Sequence, residues 1–80
     1  MLLSDLTPGG RAKVVRFLGD SGRTQRLREM GLVPGTTIKF VRLAPLGDPL
    51  EIELRGYKLS LRKHEAELIE IQPLEAPHAG

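Results

Sequence analysis

The stretch Arg26–Ile38, RLREMGLVPGTTI, contains a helix end, a tight turn and the start of a strand. Gly31 stands where the helix should end in a left-handed residue, a conformation that glycine adopts without a Cβ clash. With Gly31 in that position, Leu27 and Leu32 are the two residues whose side chains meet in a Schellman ending. The stretch therefore predicts a short helix that is joined to a strand through a defined corner.

A tight turn completes this corner. Val33–Thr36 places Pro34 and Gly35 at the central positions of a type II turn, which favours proline first and glycine second. The β-branched residues that follow are typical of a strand, which we expect at Thr37–Leu43. We assign structural roles to the residues of the corner and of one later turn: Leu27, Met30, Gly31, Leu32, Pro34, Gly35 and Gly56.

The most regular pattern of the chain lies at Leu50–Leu61, where apolar and polar residues alternate on both sides of Arg55-Gly56. This pattern predicts a hairpin with a two-residue turn, which also places Glu53 opposite Lys58. A type I′ turn needs a positive φ at Arg55, for which arginine is a poor choice, so a bulged or longer turn stays open. The two-residue turn would put three apolar pairs on one face: Leu54–Tyr57, Ile52–Leu59 and Leu50–Leu61.

The remaining elements are expected to be short. They are a strand at Ala12–Leu18, a helix at Arg23–Met30 capped by Asp20 or Ser21, a helical turn at Lys63–Glu67, and a strand at Leu68–Ile71 that Pro73 stops. A sheet with one apolar face in so short a chain must close or stack on itself. We therefore predict a mainly β fold, a small barrel of about five strands with a two-turn and a single-turn helix. It forms one domain over residues 1–73, and residues 74–80 form a disordered tail.

The composition restricts the classes of function. Eighty residues make one domain, without room for a deep catalytic cavity. Twelve Lys and Arg against ten Asp and Glu leave a net charge of +2, and the bases are spread along the chain rather than gathered in a tract. The absence of cysteine excludes disulfides and thiolate metal sites. No signal peptide or membrane-spanning apolar run is visible, so we expect a cytoplasmic protein.

Motifs for catalysis are absent from the sequence. The glycines form neither a Walker A nor a Rossmann pattern, and His64 and His78 are the only histidines. His64 and Glu67, with Glu65 between them, are weak candidates for metal ligands, but their spacing is not a ligand motif and surface charge is the favoured interpretation. We expect no enzyme activity, no cofactor and at most weak transition-metal binding.

Two long stretches resemble the FeoA family of bacterial ferrous iron transport accessory proteins: RLREMGLVPGTTIKFV and APLGDPLEIELRGYKLSLRKHEAELIEI. The resemblance covers roughly Leu6–Ile71 and implies an SH3-like barrel. It also implies a cytoplasmic partner, the ferrous iron permease FeoB with its N-terminal G domain, and a membrane that is reached only through that permease. Iron-dependent repressors carry the same fold as their C-terminal domain, which leaves a metal-responsive domain as an alternative. Weak self-association also stays open.

Two surfaces are candidates for docking such a partner. The loop Ala44–Pro49 contains two prolines that lower its ordering cost on binding. Leu46 at its tip is either an exposed anchor or a residue folded back onto the core. The helix arginines Arg23, Arg26 and Arg28 form either a basic face toward an acidic partner or lipid headgroups, or a solvated face, which is the default for such charges. We predict these contact residues: Arg23, Arg26, Pro45, Leu46, Gly47, Asp48 and Pro49.

Two other classes of function rank lower. A nucleic-acid-binding small barrel is compatible with twelve bases, but ten acids and only three aromatics argue against nucleic acid as a partner: Phe17, Phe40 and Tyr57. A reader of proline-rich peptides needs an aromatic-lined groove, which this composition does not supply. The leading prediction is a non-enzymatic module that binds the permease and tunes its transport or its GTPase.

Overall fold

The computed structural model describes residues 1–19, 22 and 24–74. A 3₁₀ turn at Leu3–Asp5 precedes these elements: β1 (Arg11–Phe17), α1 (Gln25–Glu29), β2 (Thr37–Leu43), β3 (Leu50–Leu54), β4 (Tyr57–Leu61), α2 (Lys63–Ala66) and β5 (Ile69–Leu74). The strands form one antiparallel sheet in the order β4-β3-β2-β1-β5. The predicted mainly β fold with five strands and two short helices is therefore confirmed.

Two irregularities in strand pairing bend the sheet around its core. The register shifts between Val14 and Arg16 in β1 and between Phe40 and Arg42 in β2. Such bulges kink a strand and increase its twist. The bulge in β1 breaks the alternation there, because Val15 and Arg16 are both exposed after the buried Val14. The apolar faces of all five strands thereby enclose one core, which the 3₁₀ turn and both helices also enter.

The hairpin of β3 and β4 has the predicted register, with Leu54 opposite Tyr57 and Glu53 opposite Lys58. Arg55 and Gly56 have φ angles of 50° and 86°, so both are positive, as a type I′ turn requires. The two-residue turn therefore forms in spite of the arginine. Five of the six apolar side chains of this face are buried, and Tyr57 at the turn is 39% exposed.

The corner after α1 is a Schellman ending. The N–H of Leu32 donates to the carbonyl of Leu27, and the N–H of Gly31 donates to that of Arg28, both at 3.0 Å. Gly31 has a φ of 103°, and the side chains of Leu27 and Leu32 are fully buried. A further bond of 3.0 Å closes the predicted turn over residues 33–36. The corner thus has the hydrogen bonds that its sequence predicts.

Met30 has a predicted structural role together with Leu27, as a core residue rather than a contact residue, and the structure places it differently. Its side chain is 40% exposed, and α1 ends one residue before it. Leu27 and Leu32 already fill the core beneath the corner, so Met30 lies at the rim. The attachment of α1 to the core therefore rests on Leu27 and Leu32 rather than on Met30.

The last strand continues past its predicted end at Ile71. Pro73 pairs with Ala12 and Leu74 with Arg11, so both belong to β5. An edge strand tolerates proline, because proline can turn its missing N–H away from the neighbouring strand. The expected helix caps Asp20 and Ser21 lie outside the described residues, as do Arg23, His78 and residues 75–80 of the expected tail.

Candidate docking surface

The loop between β2 and β3, Ala44–Pro49, projects an apolar side chain into solvent. Leu46 at its tip is 96% exposed, so the alternative in which it folds back onto the core is wrong. Two backbone bonds close the loop: the N–H of Ala44 donates to the carbonyl of Pro49 at 3.0 Å, and the N–H of Gly47 donates to that of Ala44 at 2.7 Å. We name residues 44–49 the docking loop. Its backbone is braced internally, so little ordering is required of it on binding.

Asp48 connects the docking loop to α2. Its Oδ1 accepts the N–H of Lys63 at 3.0 Å, a first-turn amide that has no acceptor within the helix. The neighbouring Pro49 borders a shallow depression of about 190 Å³ that Arg26 and Arg62 also line. Asp48 therefore holds the loop in place, whereas Leu46 is presented to solvent.

Arg26 pairs with Glu65. The Nη2 atom of Arg26 donates to both carboxylate oxygens of Glu65, at 3.0 and 3.2 Å. The same carboxylate accepts the N–H of Arg62 at 2.7 Å, which caps the start of α2. Glu65 is buried although it is charged, and its position is the one at which a capping box carries Glu. The spacing of three residues between Arg62 and Glu65 was the signal in the sequence that could have revealed this role.

Arg28 is also engaged inside the molecule. Its guanidinium carbon lies 4.5 Å from the centre of the Phe17 ring, a distance typical of a cation–π contact. Arg26 and Arg28 therefore attach α1 to the barrel, and Arg23 lies outside the described residues. The helix arginines that the structure describes hold the helix in place beside the docking loop.

The weak metal candidates His64 and Glu67 are both exposed on α2. Among residues 1–19, 22 and 24–74, no three His, Cys, Asp or Glu side chains converge in a way that could hold a metal ion. Glu65, the third residue of that predicted group, turns toward Arg26. Weak transition-metal binding at His64 and Glu67 stays a prediction.

Two apolar residues near the loop and the corner were not predicted to be exposed. Leu43, where β2 enters the docking loop, is 42% exposed, and Met30 is 40% exposed. Large exposed apolar groups on a small domain are candidates for contact with a partner. In the part of the chain that the structure describes, no helix has the length and the apolar character to span a membrane.

The fold and this surface define a small SH3-like β domain that presents a braced apolar loop. The sequence profile of the FeoA domain matches residues 1–73. The chain belongs to the FeoA family, whose members are accessory proteins of ferrous iron transport. The family that the sequence resembles is thereby confirmed.

A relative in Porphyromonas gingivalis joins the two parts of the transport system in one chain. This Fe(2+) transport protein A/Fe(2+) transporter FeoB fusion protein is 42% identical over 72 residues, which are 90% of this chain and 8% of the relative. The chain therefore spans only a small part of that protein's length.

Solved structures of similar proteins have the same fold. FeoA of Chlorobium tepidum is 39% identical with a TM-score of 0.88, and the match covers 99% of this chain and 75% of that one. FeoA of Stenotrophomonas maltophilia, described as an SH3 domain protein in complex with zinc, is 29% identical with a TM-score of 0.77 and coverages of 90% and 89%. A manganese-dependent transcriptional repressor is 13% identical with a TM-score of 0.82, over 92% of this chain and 41% of the repressor, which shows a common fold alone.

Proposed function

We propose that this chain is a non-enzymatic accessory domain that binds the cytoplasmic part of an FeoB-type ferrous iron transporter and regulates its transport. The observation that carries the proposal is a relative in which Fe(2+) transport protein A and the transporter FeoB are fused in one chain. This relative is 42% identical to the present chain over 72 residues. Fusion keeps two domains at a high effective concentration. Where the two parts are not fused, a surface with its own affinity is needed to maintain the same contact.

The docking loop is the surface that supports such affinity best. Leu46 is 96% exposed at its tip, and burial of a leucine side chain contributes about 1.5–3 kcal/mol. Pro45 and Gly47 flank this anchor. Because the loop backbone is already closed by its own hydrogen bonds, binding has little conformational entropy to overcome.

Three other predicted contact residues, Arg26, Asp48 and Pro49, connect the docking loop to the helices. Asp48 accepts the N–H of Lys63, and Arg26 holds Glu65 beside Pro49 in the lining of one depression. In this proposal Leu46 provides the apolar contact, and Arg26, Asp48 and Pro49 determine where the loop stands relative to the helices.

The test is a titration of the chain with the purified transporter in detergent, and separately with its G domain in the GDP and GTP states. Leu46→Ser should weaken binding about tenfold or more, since loss of roughly 1.4 kcal/mol corresponds to one decade. Val15→Ser is the matched control, because Val15 is 40% exposed on β1, away from the loop. If the folded chain binds no part of the transporter, the proposed function is wrong. If both variants weaken binding equally, the choice of the docking loop is wrong.

A further inference from the structure

A row of charged side chains crosses the outer face of the sheet from β1 to β4. The strand register places Arg11 opposite Lys39, Lys39 opposite Glu53, and Glu53 opposite Lys58. All four residues are exposed, and the next residue toward the middle of each strand is buried. Because side chains alternate between the two faces of a strand, these four share the solvent face.

Two more cations enlarge this row. Lys13 lies two residues after Arg11 on β1, and therefore on the same face. Arg55, in the hairpin turn, lines a shallow depression of about 270 Å³ together with Arg11, Lys39 and Glu53. We name the five cations the basic face: Arg11, Lys13, Lys39, Arg55 and Lys58.

The charge of the basic face is not neutralised within the described chain. The five cations share this face with Glu53 and with Glu51, whose carboxylate is paired with Arg42 at 3.3 Å, although the whole chain has a net charge of only +2. The ion pairs within 4.0 Å that the described residues form involve other cations: Arg16, Arg26 and Arg42. The excess of positive charge is therefore concentrated on one side of the sheet, where it produces a positive potential.

We propose that the basic face lies against the anionic headgroups of a lipid membrane. Several cations spread over a broad face act together on a charged surface, because their fields reach about 8 Å at physiological salt. Each Lys or Arg held near an anionic membrane strengthens binding about fivefold. This inference extends the proposed function, since a domain that binds a membrane transporter works within reach of the bilayer. It departs from the expectation that the membrane is reached only through the permease.

A bilayer fits the basic face better than a single phosphate group does. Glu53 lines the same depression as Lys39 and Arg55, so a phosphate placed there would meet a carboxylate. A membrane presents many charges over a wide area, and one acid among five cations reduces its attraction without abolishing it.

Nucleic acid fits the basic face less well, because single strands are held by aromatic stacking platforms. The chain has three aromatic residues. Phe40 is buried and Tyr57 shares the inner face with Leu54, while Phe17 is half-buried beside Arg28. None of the three therefore lies among the cations of the basic face.

The basic face and the docking loop lie at opposite ends of β3. Arg55 follows the end of β3, whereas the docking loop precedes Leu50 at its start. A strand of five residues spans about 16 Å. The loop can therefore contact a protein while the basic face rests on lipid.

The test is co-sedimentation of the chain with vesicles that contain no transporter. Vesicles of phosphatidylcholine with phosphatidylglycerol should retain the chain, and vesicles of phosphatidylcholine alone should not. Raising the salt from about 0.01 M to about 0.15 M shortens the Debye length from ~30 to ~8 Å and should release much of the bound protein.

Two double variants with equal loss of charge locate the contact. Lys13→Gln with Lys39→Gln should weaken vesicle binding about 25-fold, at about fivefold per cation. Arg62→Gln with Lys63→Gln, which removes two exposed cations at α2, should weaken it far less. Lys58→Gln on the edge strand repeats the test with a single change, should the first double variant fold poorly.

Three results would overturn the inference: no retention on anionic vesicles at low salt, equal weakening by the two double variants, or preferential binding of a duplex oligonucleotide over vesicles. Equal weakening would show an effect of net charge alone. Because the vesicles contain no transporter, each of these results leaves the binding test with Leu46→Ser unaffected. Failure of that test in turn leaves the vesicle result unaffected.

Discussion

Arg26 and Glu65 lie 39 residues apart in the chain and join its two helices through one guanidinium nitrogen, 3.0 and 3.2 Å from the two carboxylate oxygens. The carboxylate is buried, whereas the arginine side chain is 55% exposed. Since the same carboxylate also caps α2, one side chain links α1 to the start of α2.

Glu65→Ala should lower the free energy of unfolding by about 1–3 kcal/mol, because it removes an N-terminal cap and leaves the part-buried amide of Arg62 without its acceptor. Arg26→Ala should cost less, about 1 kcal/mol or below, since its guanidinium is half in solvent. Urea unfolding measures both changes. The control is Glu67→Ala, an exposed residue of the same segment, and a cost equal to that of Glu65→Ala would contradict the assigned role.

Gly31→Ala should destabilise the chain more than Gly35→Ala. Both glycines have positive φ angles, of 103° and 92°, so either alanine is strained by about 1–2 kcal/mol. A Cβ on Gly31 would also lie 3.1 Å from the hydroxyl of Tyr57, whereas at Gly35 nothing lies within 4 Å. Thermal unfolding should show the larger loss at Gly31, and Tyr57→Phe should restore part of it. Equal losses at the two sites would exclude the contact with Tyr57.

Removal of the cation–π contact between Arg28 and Phe17 should cost about 0.5–1 kcal/mol as a coupling energy. A double-mutant cycle of Arg28→Ala and Phe17→Leu isolates it, because loss of apolar area at Phe17 cancels between the two halves of the cycle. A coupling energy near zero would indicate that α1 is held by Leu27 and Glu65 alone.

Arg55→Asn should raise the unfolding midpoint. The φ of 50° at Arg55 is the conformation that asparagine adopts more readily than arginine, and Asn-Gly is a preferred type I′ pair. The expected gain is about 0.5–1 kcal/mol. Arg55→Ala serves as the control, since it removes the same side chain but supplies no residue that favours a positive φ. A lower midpoint for Arg55→Asn would contradict the type I′ assignment.

The locally encoded parts of the fold could be predicted. The bounds of β2, β3 and β4, the hairpin register and the Schellman corner all follow from side chains and turn residues that are near one another in sequence. Alternation of period two and a glycine at a helix end act over a few residues, so their signals need no knowledge of the rest of the chain.

The tertiary structure alone decided the position of Met30, the extent of β5, the role of Glu65 and the formation of the basic face. Met30 lies at the rim because Leu27 and Leu32 occupy the core beneath it, and β5 passes through Pro73 because β1 pairs with it at the sheet edge. Glu65 links the two helices because folding brings Arg26 within ion-pair distance of it. The cations of the basic face share one surface because the strands are aligned in the sheet. The last three of these features depend on contacts between residues far apart in the chain, which no local pattern of side chains encodes.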